Sequence, residues 1–277
     1  MRFALCNELY GMLSVGEVIT RAAALGYDGL ELAPFTLCDD LWAYPVSAQR
    51  EIARIASGCG VELMGLHWLL RGQEGLGVTS GDPATRRRTA DFLRKLLEVA
   101  SNTGARILTL GSPAQRSFVS PDTHGHAAER FTDLLRPLLA DFESAGVVLS
   151  VEPLETEYTN FITSTAEARA LADSLGSRAV GITLDTHFLR WEAAAGGVDI
   201  PAAFALAGDR LEHVHIQDDN RRAPSMGAWD FTELFATLRH IGWDGYVSLE
   251  TFVAEDLGEA DAIARRGIDF LQDVEVG

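Results

Sequence analysis

Three observations predict an α/β protein folded as a (β/α)8 barrel. Short β-rich apolar runs alternate with amphipathic stretches eight times along the chain, the pattern left by parallel strands that are each covered by a crossover helix. Several of these units share one device, a glycine that closes a helix just before the next strand, as in LGYDGLEL, CGVELMGL, TGARILTL and IGWDGYVSL, with AGVVLSVE as a fifth. The length of 277 residues is close to the roughly 250 typical of such a barrel. An open doubly wound sheet is the alternative, but its GxGxxG turn after the first strand is missing, and Asn7 and Glu8 stand there instead.

The strands are expected, in order, over Arg2–Asn7 (RFALCN), Gly29–Ala33 (GLELA), Val61–His67 (VELMGLH) and Arg106–Gly111 (RILTLG). The second half continues with Val147–Glu152 (VVLSVE), Val180–Asp185 (VGITLD), His213–Gln217 (HVHIQ) and Tyr246–Thr251 (YVSLET). The segments between them read as helices. The longer connections Leu69–Pro83 and Gln217–Asp230 each follow a strand, which puts them on the face where barrels of this kind carry their chemistry. No linker or low-complexity tract interrupts the rhythm, so residues 1–277 are expected to form a single domain.

At 47% hydrophobic and 23% charged residues, the chain has ample apolar surface for a globular core. No apolar run approaches the roughly 20 residues that cross a bilayer, and the opening MRFALCNELYGML lacks the basic-then-apolar layout of a secretion signal, so a cytoplasmic protein with no membrane partner is expected. Cys6, Cys38 and Cys59 show no CxxC or CxxH spacing, which argues against a disulfide framework and against a zinc knuckle. The net charge of −17 repels polyanions and disfavours nucleic acid as a partner.

An apolar parallel strand that finishes in an ionisable residue delivers that residue to the mouth of the barrel. Glu31, His67, Glu152, Asp185, His215 and Glu250 all stand at or near such strand ends. Gathering so many charges around one axis costs several kcal/mol for each that goes unpaired, and a divalent cation would neutralise them. Glu152, Asp185, His215 and Glu250, from the last four strands, form an oxygen-rich set with one imidazole. Such a set suits manganese, magnesium, cobalt or zinc better than a soft metal. Any one of these acids alone is as readily a helix cap or half of an ion pair; four on successive strands favour a metal site. His213, two residues before His215, points to the same face of its strand, either as a partner of the ligand sphere or as a satisfied core histidine. Among the aromatic residues near the mouth (Phe35, Trp42, Trp68 and Trp229), Trp68 beside His67 is the expected pocket residue.

These residues resemble the xylose isomerase-like TIM barrel superfamily of sugar isomerases and epimerases, and within it the ketose 3-epimerase and hydroxypyruvate isomerase branches. The likeness runs over the whole chain, and its most specific pieces are VEPLE at Glu152, LDTHF at Asp185, HVHIQDDNRRAPSMGAWDF from His213 and YVSLET around Glu250. An arginine six residues after the metal histidine, then a P-x-x-G turn and an aromatic, matches Arg221, Pro224, Gly227 and Phe231.

The resemblance implies that Glu152, Asp185, His215 and Glu250 hold one divalent ion, manganese first among the candidates, and that Glu152 and Glu250 are the catalytic pair on opposite sides of a bound ketose. A cation on the carbonyl and neighbouring hydroxyl oxygens acidifies the C–H between them, one carboxylate takes the proton, and an enediolate results. Return of the proton to the other face gives an epimer, and return to the neighbouring carbon gives an aldose. Arg221 would hold a hydroxyl or an anionic group, and His187, His67, Trp68, Glu31 and Asn7 complete the expected substrate contacts. The resemblance also implies a homo-oligomer, a dimer or tetramer, acting on a small sugar.

Three departures stand out. The family places a histidine three residues after the aspartate, whereas here Asp185-Thr186-His187-Phe188 brings the imidazole one position early. Epimerases often carry a glutamate six residues after the catalytic one, and here that position is Tyr158, with Glu155 and Glu157 nearby. The stretch Ser112 to Arg116 offers polar and cationic groups that either bind an anion or cap the next helix. Other functions on the same barrel are a dehydratase of an inosose or dehydroshikimate-like substrate, an apurinic endonuclease, which the negative charge disfavours, and a sugar-binding protein without catalysis.

Overall fold

Most of the helix-closing glycines behave as their sequence context requires. In the computed structural model, which describes residues 1–276, Gly26, Gly60, Gly104 and Gly146 follow the helices Val15–Leu25, Val46–Cys59, Pro83–Thr103 and Leu139–Ala145 with φ of 95°, 73°, 89° and 63°. A side chain would raise the energy of this left-handed backbone by about 1 kcal/mol or more. Each glycine N–H returns to a carbonyl of the last turn, so the helix stops there and the chain is free to extend. Helix starts are equally explicit. Ser14 and Glu17 form a reciprocal capping box, and Asp82 accepts from the N–H groups of Ala84 and Thr85 ahead of Pro83.

The strands are β1 (Arg2–Cys6), β2 (Gly29–Leu32), β3 (Glu62–Leu66), β4 (Ile107–Leu110), β5 (Val148–Val151), β6 (Val180–Asp185), β7 (Leu211–Ile216) and β8 (Tyr246–Leu249). All pair in parallel with their sequence neighbours, and β8 pairs with β1, which closes the barrel in the expected order. Several expected strands overran by a residue or two, because their polar end residues already turn into the loops. Glu152 and Glu250 stand one residue past β5 and β8, yet their N–H groups still bond to the Leu110 and Ile216 carbonyls, at 3.3 and 3.2 Å.

Inside the barrel the side chains lie in layers. Ala4, Met64 and Tyr246, with Ile107 against them, form an apolar plug at the end where the strands begin. Gly29 makes room for it, since a Cβ there would lie 2.7 Å from the Tyr246 ring. Above the plug is a buried polar layer of Glu31, Thr109, Ser150, Thr183 and His213. Its hydrogen bonds join Thr183 to Ser150 (2.7 Å), Thr109 to both Thr183 and Glu31 (3.3 Å each), and His213 to Glu31 (3.0 Å). Outside the barrel, side chains such as Val18, Ile19, Phe92, Leu96, Ile263 and Ile268 are fully buried in the main apolar core, which lies between strands and helices. Among the described residues no helix is long and apolar enough to cross a membrane.

Candidate active site

The uppermost layer is where the charges collect. Glu152, Asp185, His215 and Glu250 each present one donor atom, and these atoms lie within 4.8 Å of one another. Nδ1 of His215 is 2.9 Å from Glu250 Oε2 and 3.2 Å from Glu152 Oε1. The backbone is shaped for this gathering. A Cβ at Gly111 would lie 2.5 Å from Glu152 Oε2, so only glycine leaves that carboxylate its place. Asp185 caps the helix Thr186–Ala194 with Oδ1, accepting from His187 and Phe188 N–H, while its Oδ2 accepts from Gln217 Nε2 at 2.6 Å.

Left to themselves these groups repel. Burial, reinforced by the charges of Glu250 and Glu152, pushes the Asp185 carboxyl up to about 8, and burial likewise raises Glu152. Burial works against a charge on His215, but the surrounding carboxylates, Glu250 first, hold the imidazole well above its ordinary value. A set of three carboxylates and one imidazole, buried but for a partly exposed Glu250, with an aspartate that would otherwise keep its proton, fits a divalent cation.

Beneath and beside the set lie the groups that orient it. The carboxylate of Glu31 is fully buried, with Oε2 3.0 Å from both His215 Nε2 and His213 Nε2. Burial opposes its ionisation, yet the two imidazoles hold it well below the usual carboxylate range. A hydrogen on His215 Nε2, donated to Glu31, would leave Nδ1 as the nitrogen that could hold a cation. His67 sits between Glu8 (Nε2 to Oε2, 2.8 Å) and Glu250 (Nδ1 to Oε1, 3.3 Å); burial disfavours its charge, but these carboxylates raise it to about 10. Trp68 Nε1 donates to Glu250 Oε1 at 2.9 Å.

Above the floor is a cavity lined among others by His67, Trp68, Ser112, Leu154, Phe188 and Arg221. Arg221 is held at φ 61°, with its guanidinium carbon 4.6 Å from the Phe252 ring centre and 5.5 Å from that of Phe188. Its Nε and Nη1 are buried without a hydrogen-bond partner, a placement suited to a substrate oxygen.

Four expectations are corrected by this placement. Glu31 does not line the cavity, because it lies a layer deeper, under His215. Asn7 is turned into the loop after β2, accepting from Ala33 N–H at 2.7 Å and donating to Thr36 Oγ1 at 2.7 Å. His187 faces Glu155 (Nε2 to Oε1, 2.7 Å), and Phe188 lines the cavity in its stead. Successive helix positions point about 100° apart, so a one-residue offset changes which side chain enters the site. Finally, Arg116 neither binds an anion at the mouth nor caps a helix. It is fully buried and donates to the Glu152 carbonyl at 2.6 Å and the Ile162 carbonyl at 3.2 Å, tying the β5 loop in place. Gln217 was missed as a partner of Asp185, although its two-residue spacing from His213 and His215 puts all three on one strand face.

A closed barrel with ionisable residues gathered where its strands end is the arrangement of an enzyme's active site. Residues 19–274 match the model of the xylose isomerase-like TIM barrel family, and the chain belongs to that family. D-psicose 3-epimerase of Enterocloster bolteae is 30% identical over 245 residues, 86% of this chain and 77% of that protein. The 3-dehydro-D-guloside 4-epimerase of Escherichia coli is 24% identical over 94% of this chain and 96% of its own. Among solved structures, a D-psicose 3-epimerase determined in the presence of D-fructose superposes with a TM-score of 0.87 at 20% identity, covering 100% of both chains, and shows the same fold.

Proposed function

We propose that this chain interconverts a small ketose with its epimer at a carbon next to the carbonyl, with a divalent cation held by Glu152, Asp185, His215 and Glu250. The observation that carries this reading is the convergence of those four donor atoms within 4.8 Å, three of them from residues that line a cavity together with Arg221. A bound cation would polarise the substrate carbonyl and stabilise the negative charge that develops on its oxygen.

The remaining work falls to side chains. Glu152 and Glu250 flank His215 Nδ1 from β5 and β8. One of them, ionised, takes the proton from the carbon beside the carbonyl; the other, protonated, delivers a proton to the opposite face, and the direction of reaction decides which does which. Trp68 and His67 keep Glu250 in position, and Arg221 binds a substrate oxygen. The epimerase relatives favour proton return over loss of a hydroxyl, which a dehydratase would require. A homo-oligomer is part of the same reading; exposed Phe252 and Val253 beside the mouth are its support.

The test is solvent exchange. Manganese-loaded protein in deuterated water, given a panel of ketoses, is expected to place deuterium beside the carbonyl of one of them and to yield an isomer of otherwise unchanged mass. Glu152→Gln is expected to slow this by roughly 10²- to 10⁴-fold. Loss of water from the substrate instead would establish the dehydratase, and no exchange with any ketose would sink the reading.

A further inference from the structure

A second cavity adjoins the first. It shares Trp68, Arg221 and Glu250 with it and runs on from them past Glu8, Arg71, Thr251 and Phe252. Among the described residues, eight buried side-chain nitrogens and oxygens lack a hydrogen-bond partner, and four of them belong to residues that line this cavity. They are Arg221 Nε and Nη1, Thr251 Oγ1 and Glu8 Oε1. A buried polar atom left unpaired is destabilising, so their concentration in one cavity marks a place shaped for a ligand.

The charges there are unevenly matched. Arg71 lies with its guanidinium carbon 4.6 Å from the Phe35 ring centre and 4.4 Å from that of Trp68, much as Arg221 lies on Phe252 and Phe188. The rings hold both guanidinium groups in place without using up their N–H donors. Acidic residues outnumber Lys and Arg by 40 to 23, yet among the described residues neither of these two arginines forms a salt bridge. The two carboxylates of the cavity are engaged by imidazoles, Glu8 by His67 and Glu250 by His67 and His215. Two positive charges and a threonine hydroxyl are left over. Their complement is an anion with several acceptor oxygens, since a neutral hydroxyl would satisfy a donor and leave both charges unmatched.

Resting on the epimerase reading, we infer that the ketose carries an oxyanion, a carboxylate or a phosphate, at the end that enters this second cavity. Arg71, Arg221 and Thr251 hold it there, while the reacting carbons lie at the ligand set. Arg71 and Thr251 are then specificity residues that do not touch the reacting carbons.

D-fructose, D-fructuronate and D-fructose 6-phosphate share the carbons around the carbonyl and differ at the far end. With manganese-loaded wild type in deuterated water, kcat/KM for deuterium uptake is expected to be roughly 10- to 100-fold higher for one of the two anions than for D-fructose. Most of the difference is expected in KM, and the preferred anion tells carboxylate from phosphate. Calorimetric titration of Glu152→Gln is expected to rank the three compounds the same way without turnover. Arg71 is exposed, so Arg71→Gln should fold, and it is expected to narrow the ratio of anionic to neutral sugar by roughly tenfold. Thr251→Val is expected to narrow it by less. Equal turnover of the three, uptake confined to neutral ketoses, or a ratio that Arg71→Gln leaves unmoved overturns the oxyanion assignment and leaves the epimerase reading intact. Absence of deuterium uptake from these three and from every other ketose overturns the epimerase reading, and tighter calorimetric binding of an anion than of D-fructose would still uphold the oxyanion site.

Discussion

Strands β5 to β8 carry Glu152, Asp185, His215 and Glu250 at or near their ends, whereas β1, β3 and β4 are followed by Glu8, His67 and Gly111, and β2 carries Glu31 a layer deeper. The second set shows a different logic. Glu31 anchors His215 from below, His67 stands between Glu8 and Glu250, and Gly111 clears the space that Glu152 fills. One half of the barrel supplies groups suited to hold a cation, and the other fixes their protonation and direction. The contrast follows from electrostatics. Carboxylates crowded within 4.8 Å stay in place only if something opposes their mutual repulsion, and before any cation binds that is done by His67 beside Glu250 and by the positive charge on His215 that Glu31 favours from below.

The largest effects are expected where the division is broken on the ligand side. Asp185→Asn removes a charged donor but keeps the amide geometry that can cap the following helix, so the fold should persist while manganese affinity and turnover fall together. A loss of roughly 10²-fold or more in kcat/KM is expected from steady-state kinetics at fixed metal. Unchanged turnover in that variant would remove Asp185 from the site. On the supporting side, Glu31→Gln leaves the four donors in place but takes away the carboxylate shared by His213 and His215. Metal affinity is expected to drop by roughly 10- to 100-fold, measured by titration with a competing chelator. An effect as large as that of Asp185→Asn would erase the distinction between the two halves.

A third effect, on stability, comes from pH. In metal-free protein Asp185 holds its proton up to about 8 and His67 holds its own up to about 10, each well above its ordinary range. In both cases the folded protein binds the proton more tightly than the unfolded chain does. The stability they contribute is present in full below the unfolded values and is lost as pH rises through the folded ones. The melting temperature of chelator-treated protein is therefore expected to fall between about pH 5 and about pH 9, and manganese should flatten that slope by replacing the protons. A flat profile without metal would show that the crowding at the floor is relieved some other way.

How legible was all this in the sequence? The strands were, because apolar runs and closing glycines are local, and so were the ligand candidates, because residue type at a strand end is local too. Depth was not. Glu31 is paired in register with Cys6 and Gly65, and this places it a layer below the mouth, which no pattern along the chain reveals. Arg116 bonds to carbonyls at positions 152 and 162, contacts set only once the loops have folded. His187 and Phe188 exchanged roles because a helix begins at Thr186 and its angular step decides which faces the cavity. Gln217 was legible in principle, since the period of two that places His213 and His215 inward carries one step further.

The smallest expected effect on catalysis is at the end of β1. By sequence position Asn7 is the residue at the end of β1, where a substrate contact would be expected, but its side chain bridges Ala33 N–H and the Thr36 hydroxyl and leaves the cavity alone. Asn7 is buried, so Asn7→Ala strands one backbone donor and is expected to cost about 1–3 kcal/mol in denaturant unfolding. With the loop after β2 merely loosened, KM for the ketose should stay within about twofold, because interactions absent from both ground and transition states leave kinetics unmoved. A rise in KM without loss of stability would return Asn7 to the substrate and show that the first half of the barrel binds sugar as well as supporting the ligand set.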